Sequence, residues 1–443
     1  MKYVLMGIAL LFVLFILLYI DYKFGRKSHM ANSERKDYPA RTCQLYMFNE
    51  GPDLFKNMLQ EIKNAKNHIH VLFYIGRNDE FSREFYSLLE VKAREGLEVR
   101  LLLDWIGSFK LSKQIIAELE AANVQFAYSH VPRFPFLFYK MNVRNHRKIA
   151  VIDGKTAYIG GFNIGKEYVN QDPKLSPWRD YHLKLSGDIV SDLQSQFLLD
   201  WGKATKATMP KLSRYFPQPS QGLLSKPALQ DVEMSKALDL PNHGSHAADS
   251  VNTQGAFTEN DVLQQQTKIQ IVASECAWIE GLVSNRIREA QESIFIGTPY
   301  FIPTKQLMKD LLAAAKRGVK ITILVPHAAD HLLVQEASYR FLRPLLKAGV
   351  EVYQFMNGFY HAKALVFDDL VCDIGTTNFD QRSLLLNNEV NCFITDKQSI
   401  IKIKNVIDCD LRDSKRLQLS DITNVSMKTK IKEWLARPIA SFL

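Results

Sequence analysis

The chain has 443 residues, with 56 Lys and Arg against 47 Asp and Glu, which gives a formal net charge of +9. This length allows two domains of ordinary size, and the basic excess favours an anionic partner, either a lipid surface or a nucleic acid. The five cysteines show no CxxC or paired spacing, which argues against a zinc site and a disulfide framework and fits a reducing compartment.

The N-terminus carries an uncharged apolar segment, residues 3–20, that is just long enough to span a bilayer. A cleaved signal peptide is the alternative, but the bulky residues from Tyr19 to Tyr22 offer no small-residue cleavage site. Several Lys and Arg follow the segment, whereas only Lys2 precedes it. The positive-inside rule therefore predicts a single-pass anchor in the cell membrane, with the body of the protein in the cytoplasm.

The rest of the chain divides into two similar halves. In residues 40–204, apolar patterns predict strands at 70–74 and 97–103 with a helix between them, and residues 267–443 repeat this order. The polar stretch between them, residues 205–266, lacks apolar periodicity and predicts a flexible linker. We expect an α/β protein whose halves are mixed β-sheets flanked by helices, packed as a pseudo-two-fold dimer behind an N-terminal transmembrane helix.

One polar pattern occurs once in each half with the same spacing. The two copies are His146, Lys148, Asp153, Gly160, Gly161 and Asn163, and His361, Lys363, Asp368, Gly375, Thr376 and Asn378. Apolar runs on both sides of each aspartate predict tight hairpins, which place Gly161 opposite His146 and Thr376 opposite His361. A single histidine is usually a structural group, but a duplicated six-position pattern indicates one composite site.

These residue types suit phosphoryl transfer without a metal. One imidazole can attack phosphorus while the other transfers protons. Lysine neutralises phosphate oxygens, the asparagine amide donates to them, and small residues allow a close approach of the backbone. The expected phosphate-binding residues are Lys148, Lys363, Asn163, Asn378, Gly161 and Thr376.

Two pairs of acidic residues accompany the pattern. Asp153 and Asp368 are candidate catalytic residues, but turn formation explains their positions at least as well. Asp180 and Glu389 lie downstream of the hairpins and are candidate acceptors that orient the two histidines. A surface acid is the commoner explanation for either residue.

The pattern resembles the signature of the phospholipase D superfamily, H-x-K-x4-D followed by G-G/S/T-x-N. Four stretches are more closely similar to bacterial cardiolipin synthases, namely residues 145–149, 159–163, 178–183 and 297–301. The resemblance extends from about Gln44 to the end, apart from the central insert. The single N-terminal apolar segment resembles the shorter, minor synthases of Gram-positive bacteria.

The resemblance implies a membrane enzyme that transfers a phosphatidyl group between two phosphatidylglycerol molecules, releasing glycerol and passing through a phosphohistidine. It implies His146 as the nucleophile, His361 as the acid and base, and no metal or other cofactor. The expected partners are the anionic phospholipid and the membrane, with no nucleic acid; the oligomeric state stays open. A phospholipase D that releases phosphatidic acid, or a membrane-tethered nuclease, would use the same residues. A non-catalytic lipid-binding scaffold is disfavoured because neither motif has lost a member.

Three further segments carry weaker signals. Residues 131–139 hold four aromatic side chains and two prolines, which predicts an interfacial loop near the membrane, with a buried strand as the alternative. His327 and His331 are four residues apart but lack the glutamate of a zinc-protease motif. Residues 431–438 fit either a membrane-facing helix or a helix packed on the core.

Overall fold

The computed structural model of the chain describes residues 2–208, 212–216, 266–330 and 333–439. Most of the predicted linker, residues 205–266, therefore lies outside the described residues, as does His331.

In the described ranges the strands are β1 (Arg35–Asp37), β2 (Arg41–Glu50), β3 (His68–Phe73), β4 (Glu98–Asp104), β5 (Gln125–Ser129), β6 (Ile149–Ile152), β7 (Thr156–Gly160), β8 (Trp178–Ser186), β9 (Gln266–Ser274), β10 (Ser293–Gly297), β11 (Lys320–Pro326), β12 (Glu351–Phe355), β13 (Phe359–Tyr360), β14 (Ala364–Phe367), β15 (Val371–Gly375), β16 (Glu389–Ile394) and β17 (Ser414–Arg416). The α-helices are α1 (Lys2–Asn32), α2 (Gly51–Asn64), α3 (Glu80–Arg94), α4 (Lys113–Ala121), α5 (Leu137–Asn142), α6 (Ile189–Thr205), α7 (Trp278–Glu289), α8 (Lys305–Lys316), α9 (Val334–Lys347), α10 (Gln381–Leu385), α11 (Lys397–Arg412), α12 (Leu419–Thr423) and α13 (Met427–Ile439).

The two halves have the same strand order. The first half runs β5–β4–β3–β6–β7–β8–β2, and the second runs β12–β11–β10–β14–β15–β16–β9. In each half the first three strands are parallel and the others are antiparallel. Strands β2 and β9 pair antiparallel, so the halves form one large mixed sheet. The predicted α/β architecture of two similar halves is confirmed.

Local sequence explains why matching helices begin and end where they do. Helix α3 begins at the capping side chain of Asp79, which accepts from Ser82 N, and α8 begins at Thr304, which accepts from Leu307 N. Gly96 and Gly318 follow these two helices with φ of +93° and +92°, a conformation that glycine adopts without steric cost. Each chain reversal then leads directly into the next parallel strand, β4 or β11.

The halves share a hydrophobic core. All six residues of β3 are buried, as parallel strands covered on both faces require. One core cluster contains Leu183 and Phe197 from the first half together with Ile374 and Val390 from the second. Because the cluster crosses the boundary, the halves are packed against each other by apolar burial and do not merely touch.

The two motif hairpins form as predicted, with one difference in register. The pairing Ile149↔Ile159 and the three-residue turn at 153–155 put Phe162 level with His146, one residue beyond the predicted Gly161. The second hairpin has the equivalent register, because its turn also has three residues. Gly161 and Thr376 are therefore each one position away from the residue that faces the histidine of the same hairpin.

Helix α1 is longer than the predicted apolar segment. It covers 31 residues with a mean hydropathy of 2.8 over its most apolar part, and among the described helices it alone is long and apolar enough to cross a membrane. Its last turns pack on α5: Asp21 accepts a 2.7 Å hydrogen bond from Tyr139 N, and His29 Nδ1 lies 2.8 Å from Tyr139 Oη. Of the interfacial loop predicted at 131–139, residues 131–136 are a loop, whereas residues 137–139 belong to helix α5, which is docked on α1.

The C-terminal helix α13 packs on α9. Glu433 forms an ion pair of 2.6 Å with Arg343, and Ala436 is buried in the core of the second half. Trp434 is exposed on the other side. Of the two alternatives for residues 431–438, the described part therefore shows core packing on one face.

Candidate active site

A cleft of about 450 Å³ lies where the two halves meet. The first half contributes His146 and Asn163 to its lining, and the second contributes His361 and Asn378. The backbone holds the two histidines together, because His146 N donates to Asn388 O at 2.9 Å and His361 N donates to Arg179 O at 2.7 Å. The two copies of the sequence pattern thus form one composite site.

Each histidine is held by a carboxylate from the opposite half. His146 Nδ1 lies 3.0 and 3.1 Å from the two carboxylate oxygens of Glu389, and His361 Nδ1 lies 2.6 Å from Asp180 Oδ2. All four side chains are buried. Since each carboxylate engages Nδ1, the Nε2 atom of each ring is the one available to a substrate.

Burial favours the neutral form of both imidazoles. Desolvation lowers the pKa of His146, and desolvation together with nearby Lys363 lowers the pKa of His361 to about 4. Burial raises the pKa values of Asp180 and Glu389, but the adjacent lysines and histidines more than offset this and keep both carboxylates ionised. Each pair is therefore an N–H donor facing an ionised acceptor, an arrangement that stabilises an imidazolium when one forms.

Each lysine contacts the backbone carbonyl of the histidine that precedes it by two residues. Lys148 Nζ donates to His146 O at 2.8 Å and lies 5.5 Å from the centre of the Tyr74 ring. Lys363 Nζ is 3.3 Å from Asp180 Oδ2 and also contacts the ring and the carbonyl of His361. Burial lowers both lysine pKa values, that of Lys148 to about 7, so a bound phosphate anion would favour their charged forms.

The two asparagines differ in their present hydrogen bonds. Asn163 Oδ1 accepts from Ile75 N at 3.1 Å, and its Nδ2 donates to Tyr168 Oη at 3.2 Å. Asn378 Oδ1 is buried and accepts no hydrogen bond from the described residues. Both side chains border the cleft, where an amide could reach a phosphate oxygen.

Gly161 and Thr376 lie against the orienting carboxylates, a placement that the sequence did not predict. A Cβ on Gly161 would lie 1.9 Å from Asp180 Oδ1. Thr376 Oγ1 donates to Glu389 Oε2 at 2.5 Å and accepts from Val390 N at 3.0 Å. Glycine therefore leaves room for one carboxylate while threonine hydrogen-bonds the other, and their expected role beside a phosphate stays a prediction.

Asp153 and Asp368 are not in the cleft, which corrects their assignment as catalytic residues. Asp153 accepts from the backbone N–H of Lys66, Asn67 and His68 at 2.7–3.0 Å. The Asp368 carboxylate accepts in the same way from the three amides of residues 291–293, at 2.8–2.9 Å. Both aspartates have φ above +50° and form the turns at the far ends of the motif hairpins, about 20 Å along the chain from the histidines.

We expect Asp153→Ala and Asp368→Ala to lower stability but to leave the chemical step intact. Removing either carboxylate leaves three backbone amides without their acceptor, which costs about 1–3 kcal/mol of the free energy of unfolding. Turnover per folded molecule should stay within about threefold of the wild type, since surface and turn changes act through folding. Thermal unfolding and turnover of the same preparations check this; a stable variant without activity would contradict it.

Gly161→Ala is expected to damage the site far more than its size suggests. The new methyl group would displace the Asp180 carboxylate, and His361 would lose its Nδ1 partner. Loss of an orienting partner of this kind typically costs about 10- to 100-fold in activity. The matched control is Thr376→Ser, which keeps the hydroxyl that donates to Glu389 and should stay near wild-type activity. An unchanged kcat in Gly161→Ala would contradict the role of Gly161 in leaving room for the Asp180 carboxylate.

Several aromatic side chains complete the site without having been predicted. Tyr74 packs edge-on against the His146 ring at 5.0 Å between centroids, and Trp178 and Tyr300 pack against His361 at 4.8 and 6.0 Å. Tyr74 follows β3 and Tyr300 follows the equivalent strand β10. Comparing the segments that follow these equivalent strands would have pointed to this pair, with an offset of one position between the two tyrosines.

A duplicated α/β half that contributes one His-Lys pair to a shared cleft defines an enzyme of the phospholipase D superfamily. A family model described as "Cardiolipin synthase, PLD-like domain" matches residues 58–181 and 283–411, one segment in each half. The chain belongs to this family.

Curated relatives agree with the family match. The minor cardiolipin synthase ClsB of Bacillus subtilis (strain 168) is 34% identical over 443 residues and is covered completely, as is this chain. A cardiolipin synthase of Staphylococcus aureus (strain Mu50) is 34% identical over 400 residues, which cover 90% of this chain and 73% of that protein. Helix α1 thus occurs in a chain that matches a minor synthase along its whole length.

Solved structures support the fold alone. The phosphatidylserine synthase of Haemophilus influenzae Rd KW20 aligns with a TM-score of 0.65 at 16% identity, covering 94% of this chain and 99% of that one. A polyphosphate kinase from Porphyromonas gingivalis aligns with a TM-score of 0.52 at 14% identity, covering 89% of this chain and 53% of that one. At these identities the likeness concerns the arrangement of the two halves.

Proposed function

We propose that the protein is a membrane-bound cardiolipin synthase, which transfers a phosphatidyl group from one phosphatidylglycerol to another and releases glycerol. The observation that carries the proposal is the pair of buried histidines in one cleft, each with Nδ1 on a carboxylate of the opposite half. The relatives named cardiolipin synthase supply the substrate class. The proposed segments are an anchor at 3–20, halves at 40–204 and 267–443, and a linker at 205–266.

In the first step, His146 Nε2 attacks the phosphorus of the donor, and the bond from phosphorus to the glycerol oxygen breaks. His361 gives its proton to that oxygen, so glycerol leaves as a neutral alcohol and a phosphohistidine remains. The negative charge of the bound phosphodiester raises the pKa of His361 from the low value that burial gives it, which allows it to act as an acid. Family resemblance, and not a geometric difference, supports His146 as the nucleophile.

In the second step, His361 takes the proton from a hydroxyl of the second phosphatidylglycerol. The resulting oxygen attacks the phosphohistidine, the bond from phosphorus to nitrogen breaks, and cardiolipin forms. Lys148 and Lys363 offset the charge on the non-bridging oxygens in both steps, and the amides of Asn163 and Asn378 can hold the same oxygens. Glu389 stabilises the positive charge on His146.

The proposed orientation places the catalytic halves in the cytoplasm. The basic residues that follow the apolar part of α1 support this through the positive-inside rule. They are Lys23, Arg26, Lys27, Arg35, Lys36 and Arg41.

Product analysis tests the proposal. Full-length protein is incubated with phosphatidylglycerol vesicles in the presence of a chelator, and lipids and free glycerol are quantified. Cardiolipin and glycerol in equal amounts are the expected result. Phosphatidic acid as the main product would show that the protein is a hydrolase and not a synthase. Cleavage of a soluble oligonucleotide without lipid turnover would show that it is a nuclease.

A further inference from the structure

Exposed aromatic side chains lie on two adjacent loops of the first half. Phe109, in the loop after β4, is 63% exposed, and Phe134, in the loop after β5, is 83% exposed. Strands β4 and β5 are parallel neighbours, so both loops leave the same edge of the sheet, where Trp105 N donates to Ser129 O at 3.0 Å. Large exposed aromatic side chains on neighbouring loops of one sheet edge are typical of an interaction surface.

The contacts of helix α1 define the depth of the loop after β5, which contains Phe134, relative to the membrane. The apolar run of α1 ends immediately before Asp21, whose carboxylate accepts from Tyr139 N at 2.7 Å. Phe136 belongs to the same apolar cluster as Tyr22 and Tyr139. Because Phe134 precedes Phe136 by two residues, it lies near the level at which the apolar run of α1 ends, which is the level of the lipid headgroups.

The loop after β4, which contains Phe109, contacts residues that line the catalytic histidine. Ser108 Oγ accepts from Gly76 N at 2.9 Å and donates to Tyr74 O at 3.2 Å. The Tyr74 ring packs on His146 at 5.0 Å between centroids. Phe109 follows Ser108 directly in the chain, so its loop is linked to the histidine through Ser108 and Tyr74.

Basic side chains border both loops. Lys110 is exposed, with its Nζ 5.6 Å from the centre of the Phe109 ring, and Arg133 is exposed immediately before Phe134. Lys23 on α1 is exposed as well. Aromatic rings with neighbouring cations suit the interface of an anionic bilayer, where the rings enter the headgroup region and the cations meet lipid phosphates.

We propose that residues 105–110 and 133–136 form a bilayer-inserted surface that seats the first half on anionic lipid and turns the mouth of the cleft toward the headgroups. The inference rests on the proposed lipid-modifying function and adds the face through which the lipid enters. The partner of this surface is the bilayer, because α1 packs beside residues 133–136 at the point where its apolar run ends. That point lies at the headgroup region.

The test measures the depth of single side chains in full-length protein reconstituted in phosphatidylglycerol vesicles. Phe134→Cys and Phe109→Cys are labelled one at a time with an environment-sensitive fluorophore. Four of the five native cysteines are buried, so Cys409→Ser gives a suitable background. Leu370→Cys is the matched control: this residue is 44% exposed, lies two positions after Asp368 in the turn beside the start of β10, and does not line the cleft.

We expect a blue-shifted emission at positions 134 and 109, with strong quenching by lipids that carry a nitroxide near the headgroup, and neither effect at position 370. Emission at 134 and 109 that matches position 370 would overturn the inference, and so would equal quenching at all three positions. The readout does not involve turnover. Inserted labels in a protein that forms no lipid product would therefore refute the proposed function and leave the inserted surface in place.

Discussion

His146→Ala forms no covalent intermediate, whereas His361→Ala accumulates one when the leaving group needs no proton. The suitable donor is a phosphatidyl ester of p-nitrophenol, whose phenolate leaves without general acid catalysis. His361→Ala should then release one equivalent of nitrophenolate and stop, because no base activates the acceptor alcohol. With phosphatidylglycerol, each variant should lose at least ~10³-fold in turnover, as expected for an essential nucleophile or a general acid–base group.

Acid-labile phosphate on the protein and the nitrophenolate burst are the measurements. His327→Ala is the matched control, because this histidine is exposed and does not line the cleft. A burst in His146→Ala with none in His361→Ala would reverse the two roles. Wild-type turnover in either variant would end the two-histidine mechanism.

Arg147→Ala is expected to lower the free energy of unfolding by about 3–5 kcal/mol, because it leaves a buried carboxylate without its partner. Arg147 pairs with Asp200 at 2.5 Å and donates to Glu389 O at 3.0 Å and Ser274 O at 2.9 Å. Its guanidinium therefore joins the first half to the strands of the second. Both charged side chains are almost completely buried.

The destabilisation should grow with pH. Burial raises the pKa of Asp200, even though Arg147 opposes this shift, and the shift becomes larger when the arginine is removed. A carboxyl group with a raised folded-state pKa binds more protons in the native than in the unfolded state. Stability therefore falls as pH rises from the unfolded pKa, about 4, through the folded pKa.

Thermal and urea unfolding of the full chain in detergent, at acidic and alkaline pH, measure this effect. Arg416→Ala is the control, because Arg416 is 53% exposed and pairs with Glu351 on the surface, where such pairs contribute about 0–1 kcal/mol. A loss for Arg147→Ala as small as that of the control would show that the buried pair does not hold the halves together. A deficit that shrinks as pH rises would contradict the pKa argument.

The elements that depend on local sequence could be predicted. The strands predicted at 70–74 and 97–103 lie within two residues of β3 (His68–Phe73) and β4 (Glu98–Asp104), and the second half repeats their order as expected. The motif hairpins also follow from local chemistry, since apolar runs around a turn residue pair with each other. The duplication identified the histidines, because identical spacing in two segments needs no knowledge of the fold.

The sequence named Asp180 and Glu389 as candidate partners of the histidines, but it did not give which of them serves which histidine. Glu389 is 243 residues from His146, and Asp180 is 181 residues from His361, so each contact depends on how one half packs on the other. Nor does residue type distinguish these buried acids from Asp153, which has the more suggestive place in the motif but holds a turn.

The sequence by itself determined the duplicated halves, the His-Lys pairs and the apolar N-terminal segment, because periodicity and spacing are local properties of a chain. Only the tertiary structure decided which acid serves which histidine and that Gly161 makes room for a carboxylate. It also decided that the exposed rings of Phe109 and Phe134 leave the same edge of the sheet. The pairing of acids with histidines depends on packing across the pseudo-two-fold interface, whereas the other two facts depend on packing between separate segments of the first half.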